Sequence, residues 1–216
     1  PVYWMVEGER NDDAVFMISQ LARLFRISLS QGRTIITVKE ELQHAESYMN
    51  IQKVRYKNTF SVEFDVDPSL YSCCTVKLIL QPILENAINY GVSSMEDCGE
   101  IRVTGRREDG NVILAVSDNG IGMSEEEVDL VLTDSNRIHK HGSGVGLVNV
   151  NNRIQILFGT EYGLSIESEP DEGTTVSICI PEIPYTEENR KILERGSIFR
   201  KEEMEDKGMR ENRDEE

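Results

Sequence analysis

The spacing of apolar positions changes several times along the 216 residues, and each change predicts an element. Between residues 13 and 30, Val15, Ile18, Leu21, Leu24 and Phe25 form one stripe at helical spacing. A helix is expected there, ended by Gly32. Thr37-Val38-Lys39-Glu40 is a capping-box pattern that opens a second helix, running to about Arg55. Leu42, Ala45, Met49 and Gln52 would share its buried face. Residues 1–12 offer only Val2-Tyr3-Trp4-Met5 followed by charges. Phe60 to Val66 alternates cleanly and predicts a half-buried strand. From about Thr75 the spacing returns to helical, through Val76, Leu80, Ile83, Leu84, Ala87 and Ile88. Pro82 lies inside that stretch and removes a hydrogen bond to residue 78, so a kink or a late helix start is expected.

Strands follow at Glu100 to Arg106 and Val112 to Ser117, joined by the turn Glu108-Asp109-Gly110-Asn111. The second is nearly all apolar and should be central. Residues 124–141 are polar and acidic and read as a loop over a ligand. Leu147, Val150, Ile154, Leu157 and Phe158 predict another amphipathic helix, ended by Gly159. Strands Leu164 to Ser168 and Thr174 to Ile180 flank a last turn. Beyond Pro181 the dense mixed charge predicts a frayed helix or disorder. Helices on one face of a mixed sheet make an α+β fold, a two-layer α/β sandwich preceded by two stem helices. A ligand would lie between the helices and the sheet.

Composition narrows the function classes. A formal net charge of −16 argues against a nucleic-acid surface, which needs clustered Lys and Arg. No apolar run reaches the length of a membrane span. The four cysteines have no metal or disulfide spacing and read as reduced thiols of a cytosolic protein. The chain opens on Pro1 rather than Met, so it is expected to be a piece of something longer.

Four short motifs remain: Gln81 to Gly91, Asp118-Asn119-Gly120-Ile121-Gly122-Met123, Gly142-Ser143-Gly144-Val145-Gly146-Leu147, and Gly173-Thr174-Thr175. Each is weak alone, since a glycine pair is usually a turn. The third lacks the last spacing of a dinucleotide fingerprint. In this order, the four resemble the N, G1, G2 and G3 boxes of the GHKL superfamily (gyrase, Hsp90, histidine kinase, MutL). That resemblance implies a Bergerat-type ATP-binding fold with ATP and Mg²⁺ as ligands.

Within the superfamily the chain resembles the LytS/YesM-type sensor histidine kinases. Gln81 to Ile88 looks like their N box, and Leu147-Val148-Asn149-Val150-Asn151-Asn152-Arg153-Ile154 like their post-G2 helix. Leu24 to Leu29, Glu40-Glu41-Leu42 and Tyr48 to Tyr56 look like the helices before their ATP domain. The implied division is a dimerisation and phosphoacceptor remnant at 1–57, a catalytic domain at 58–183 and a charged tail at 184–216.

The resemblance assigns chemistry residue by residue. Asn86 would be the Mg²⁺ ligand, because an amide oxygen suits a hard cation that also keeps phosphate oxygens. Asp118 would hold adenine, because a carboxylate only accepts and the exocyclic amine donates. Gly120 and Gly122 permit backbone approach to the base. Gly142, Ser143, Gly144, Val145, Gly146 and Leu147 lead into a helix whose bare amides suit phosphates. Lys140, His141 and Arg137 add charge there or belong to a solvated loop. His139 and His141 as a metal pair is disfavoured, because a site needs more ligands. Thr174 would reach the Asp118 network through its hydroxyl. Asn89 stands where many relatives carry Lys or His, and Tyr90 would stack near adenine or edge the core. Glu85 would polarise an incoming imidazole or serve structure.

ATPases of the superfamily carry a general-base Glu four residues before the magnesium Asn; here that position is Pro82. Phosphoryl transfer to a protein is therefore favoured over hydrolysis. The acceptor His of the family lies in an upstream His-Pro-His-Phe-like box that these 216 residues do not contain. The chain is thus expected to bind nucleotide without autophosphorylating. His44 matches the second helix instead and is expected to face solvent. A response regulator, a homodimer and membrane anchoring of the full-length protein, with this region cytoplasmic, are further implications. The alternatives are a GHKL ATPase or Ser/Thr kinase, and a silent nucleotide-binding interaction module.

Overall fold

A computed structural model describes residues 2–29, 32–57, 59–92, 98–133 and 145–196. Two helices, α1 (Val2–Glu7) and α2 (Asn11–Leu29), precede a short strand β1 (Ile35–Thr37) and helix α3 (Val38–Arg55). The Thr37/Glu40 capping box forms as the spacing predicts: Thr37 Oγ1 accepts from the Glu40 amide at 3.1 Å and Glu40 Oε2 accepts from the Thr37 amide at 2.9 Å.

The stripe expected on α2 is not the buried one. Ala14, Met17 and Gln20 are buried and Leu24 packs on the main core, whereas Val15, Ile18 and Phe25 are 66%, 55% and 57% exposed. Two apolar stripes run along this helix, and the expected one combines residues of both. Ala14 and Met17 join Met5 of α1 in a small cluster against Leu21, Ile51 and Val54. On α3, Leu42, Ala45 and Met49 are buried as expected, but so are Glu41, His44, Ser47 and Tyr48. Helix α3 is packed on several sides by α2, α4 and the strands β1, β2 and β3. His44 is therefore not a solvent-facing residue. Its Nε2 lies 3.0 Å from Ser28 Oγ, and burial with the nearby Lys77 charge lowers its pKa.

Strand β2 (Phe60–Val66) is followed by β3 (Cys74–Val76), which pairs antiparallel with β1, Ile35 opposite Val76. The N-box helix thus does not start near Thr75. It starts at Leu80 as α4 (Leu80–Asn86), which places Pro82 in its first turn, where an amide would lack a partner anyway. The late start, not a kink, resolves the proline.

Strands β4 (Gly99–Glu108), β5 (Asn111–Asp118), β6 (Gly163–Glu169) and β7 (Gly173–Pro181) complete a sheet of order β2-β4-β5-β7-β6. Only the β2–β4 pair is parallel. Asp109 and Gly110, at φ 48 and 78, make the tight β4–β5 turn, and β5 is central and mostly buried. Helices α4 and α6 (Val145–Phe158) cover one face and bury Leu80, Ile83, Leu84, Leu147, Val150 and Ile154.

Residues 124–141 are not one loop. Glu125–Thr133 is a helix, α5, opened by a second capping box in which Ser124 and Glu127 exchange hydrogen bonds of 2.8 and 3.4 Å. The tail is not frayed throughout either. A helix over 187–196, α7, returns to the stem, where Glu194 Oε1 accepts from the Thr34 amide at 2.9 Å. All four cysteines are free thiols. Among the described residues, no helix is long and apolar enough to cross a membrane and no metal-binding cluster occurs.

Candidate nucleotide site

The site is built where α4, β5 and the β6–β7 turn converge. Leu80, Ile83, Leu84, Ala87 and Ile88 anchor α4 in the core. Glu85 and Asn86 are half-buried, whereas Asn89 and Tyr90 are exposed. Directly after Asn86 the helix widens into a π-helical turn, Ala87–Val92. The widened turn brings Gly91 against Asp118: a Cβ there would lie 2.5 Å from Asp118 Oδ1. Tyr56 at the end of α3 donates to Asn89 Oδ1 at 3.4 Å. Glu85 accepts from Gln81 Nε2 at 2.7 Å and faces the Tyr48 hydroxyl of α3, whose pKa is raised by burial and by this carboxylate.

Asp118 ends the buried strand β5. Its register partners are Ile101 of β4 and Thr174 of β7. Oδ1 accepts from the Gly120 amide at 3.0 Å, and the Thr174 amide also donates to the carboxyl. Burial pushes the carboxyl up to about 6, against the pull of those two amides. Glycine backbone packs closely around the residue. A Cβ on Gly120 would lie 2.2 Å from Gly91 Cα, and one on Gly173 would lie 2.0 Å from the Asp118 carbonyl. At Gly122, φ is +63 and a Cβ would lie 1.9 Å from the Glu169 carbonyl, so only glycine fits. The result is a half-buried acceptor whose surroundings are mainly peptide backbone.

Thr174 meets this network differently from its expected route. Its amide, not its hydroxyl, donates to Asp118, while Thr174 Oγ1 lies 2.9 Å from Ser168 Oγ. Ser168 escaped the sequence reading. It accepts from the Met123 amide at 2.8 Å and donates to the Gly173 carbonyl at 2.8 Å, tying the segment after Asp118 to the β6–β7 turn. A lone serine on an alternating strand carries no signal, and only the register brings it here. Gly91, quoted in the first motif, likewise shows its purpose only in space.

Helix α6 begins at Val145, and a Cβ on Gly146 would lie 3.2 Å from Pro82 Cβ. The start of α6 is thus set against the first turn of α4. Leu147 is buried and anchors it. Arg137, His139, Lys140, His141, Gly142, Ser143 and Gly144 lie outside the described residues. A cavity of about 410 Å³ reaches from Asp118 and Asn119 at the end of β5 to Ser61, Glu63, Glu100 and Arg102 on the sheet. Its carboxylates make it a poor match for a polyphosphate.

Known proteins share this arrangement. The model of histidine kinase-, DNA gyrase B-, and HSP90-like ATPases matches residues 75–184, and the histidine kinase model matches residues 1–60. Sensor histidine kinase YesM of Bacillus subtilis is 33% identical over 180 residues, 83% of this chain and 30% of that protein. Sensor protein LytS of Staphylococcus saprophyticus is 35% identical over 167 residues, 76% of this chain and 28% of that protein. Sensor histidine kinase BtsS of Escherichia coli is 28% identical over 171 residues, again 28% of its own length. The chain therefore spans less than a third of these relatives. The mycobacterial sensor histidine kinase MprB and the catalytic domain of histidine kinase ThkA share the fold, each at TM-score 0.53 and 19% identity over 71% of this chain and 99% of theirs. The chain belongs to the histidine kinase-, DNA gyrase B-, and HSP90-like ATPases, and within them to the sensor histidine kinases of the LytS/YesM type.

Proposed function

We propose that residues 58–183 bind Mg-ATP and transfer its γ-phosphoryl group to a histidine, from which a response regulator receives it. The observation that carries this reading is the half-buried Asp118 carboxylate in its cradle of glycine backbone. When ionised it offers acceptors only, at a place where neighbouring positions have no room for a side chain, so a base would meet backbone and this carboxylate. Asn86, half-buried at the end of α4, would supply an oxygen to Mg²⁺, and Asn89 and Tyr90 would border the nucleotide. Gly120 and Gly122 would let backbone approach the base. Lys140, His141, Gly142, Ser143, Gly144, Val145, Gly146 and Leu147 would receive the phosphates at the start of α6. Bound Mg²⁺ supplies charge neutralisation to the phosphates. Pro82 takes no proton, which weighs against hydrolysis.

His44 is buried, which disqualifies it as acceptor, so the phosphorylated histidine would come from another segment. Glu85, held by Gln81 and Tyr48, either orients that imidazole or only fixes α4. A peptide carrying the family's His box, added in trans with ATP, is expected to acquire acid-labile, alkali-stable phosphate. Acid-stable label would support the Ser/Thr reading, phosphate release without label the ATPase reading, and bound nucleotide without either product a silent module.

Residues 1–57 would serve dimerisation, with the longer protein membrane-anchored and this region cytoplasmic. The exposed stripe Val15, Ile18, Phe25 and Leu29 on α2 supports a seam between two copies. The wild-type chain should sediment as a dimer and Ile18→Glu/Phe25→Glu as a monomer; equal masses for the two would remove the seam.

A further inference from the structure

Glu41 sits in the first turn of α3, directly after Glu40 of the capping box, and is 0% exposed. Its carboxylate accepts three backbone amides: Leu78 at 2.8 Å, Ile79 at 2.8 Å and Leu80 at 2.9 Å. These residues are the turn before α4 and its first helical position. The residue in front of the helix, Ile79, makes no side-chain cap. The opening amides of α4 are therefore satisfied from a different helix.

The same turn is gripped from its other side. Arg153 of α6 donates to the Leu78 carbonyl at 3.3 Å and to the Lys77 carbonyl. Leu78 adopts φ 60, a left-handed conformation unfavourable for leucine. Glu41 on its amide and Arg153 on its carbonyl hold it there. Helix α3 also meets α4 at Glu85 through Tyr48, and the widened turn at Asn89 through Tyr56. One stem helix thus follows α4 from its first amide to beyond Asn86.

We propose that Glu41 is a positioning residue: with Arg153 it fixes the start of α4, and so the place of Asn86 at that helix's end, against α6. The proposal rests on the assignment of Asn86 to Mg²⁺ given above. A residue forty-five positions upstream, in the stem, would then set the magnesium-dependent part of nucleotide affinity.

The test is Glu41→Gln in the full 216-residue chain. Gln keeps the shape but turns an amide N–H₂ toward one of the three backbone donors. A non-hydrolysable ATP analogue is titrated with and without Mg²⁺. The Asn86 side-chain amide is followed by NMR without ligand. The expected result is a loss of about tenfold in the Mg²⁺-dependent gain, as for outer partners of metal ligands. Affinity without Mg²⁺ should stay within about twofold, which a general loss of structure would not allow. The ligand-free Asn86 resonance should move. Equal losses with and without Mg²⁺, or none, would overturn the proposal and make Glu41 a purely structural cap. If the wild type binds no nucleotide, the nucleotide reading falls separately. The Asn86 resonance then decides: moved in the variant it upholds positioning, unmoved it refutes it. Should Glu41→Gln fail to fold, Arg153→Lys, which keeps the charge but loses the two-pronged contact, gives the same readings.

Discussion

Asp118→Asn is expected to weaken adenine-nucleotide binding by about 30- to 150-fold, or about 2–3 kcal/mol, the range for a hydrogen bond to a charged group. The side chain keeps its size and its place at the end of β5, so the loss reads chemistry rather than packing. An amide turned toward the exocyclic amine sets donor against donor, and the close approach of Gly91 to Oδ1 leaves the side chain little room to turn away. Calorimetric titration of both chains checks it; affinities within threefold would remove Asp118 from the base. A pH series adds a sign. Burial holds this carboxyl up to about 6, from an ordinary value of 3.8. An acceptor must be ionised, so wild-type affinity should fall as pH drops through about 6. Ligand-free stability should respond the other way. A raised carboxyl binds its proton more readily in the folded state, so between about 6 and 3.8 its contribution to stability grows as pH falls.

Gly122→Ala should be the most damaging single methyl near the site. The residue has φ +63, and the added carbon would lie 1.9 Å from the Glu169 carbonyl. Left-handed strain alone costs about 1–2 kcal/mol. The overlap is with backbone, and cannot be relieved by turning a side chain. It must move the segment after Asp118 away from the β6–β7 turn. That movement breaks the 2.8 Å bond from the Asp171 amide to the Ile121 carbonyl and disturbs Ser168. A total of about 3 kcal/mol or more is expected, which lowers Tm by about 6–12 °C in a chain of this size. Gly110→Ala is the control. Its φ is +78 but a Cβ there meets nothing within 4 Å, so it carries the strain without the overlap. Equal Tm losses for the two variants would show that contact at Gly122 contributes nothing.

Much of the fold was legible because its elements are long and patterned. Phe60–Val66 and the β4–β5 hairpin alternate or run apolar over enough residues to be read directly. The Thr37/Glu40 box marked the start of α3 because its chemistry is local. The same signal, Ser124 and Glu127, was present before α5 and was overlooked because the acidic composition suggested a lid. Strands β1 and β3 have three residues each, too few for any period to show, and β3 borrowed the helical spacing of the residues after it. His44 faces inward because α2, β1 and β3 pack around α3 on several sides, an arrangement that the spacing along α3 alone does not contain.

The candidate site was legible as motifs and not as geometry. Asp118, Gly120, Gly122 and Thr174 converge as their order suggested, since register places Asp118 opposite Thr174. What spacing does not contain is long-range contact. Ser168 reaches the site across β6 and β7, and Glu41 and Arg153 reach the start of α4 from two other helices. The absence of a local cap at Ile79 is the one sequence clue that a distant group must satisfy α4.

An adenine site with a magnesium ligand on α4 should discriminate between bases and respond to Mg²⁺ in a single titration series. The wild-type chain is titrated with matched adenine and guanine triphosphate analogues, each with and without Mg²⁺, alongside Asn86→Asp. Only the adenine analogue should bind, more tightly with Mg²⁺, and Asn86→Asp should change only the magnesium-dependent part. Equal binding of both bases, or none at millimolar adenine nucleotide, would contradict that site.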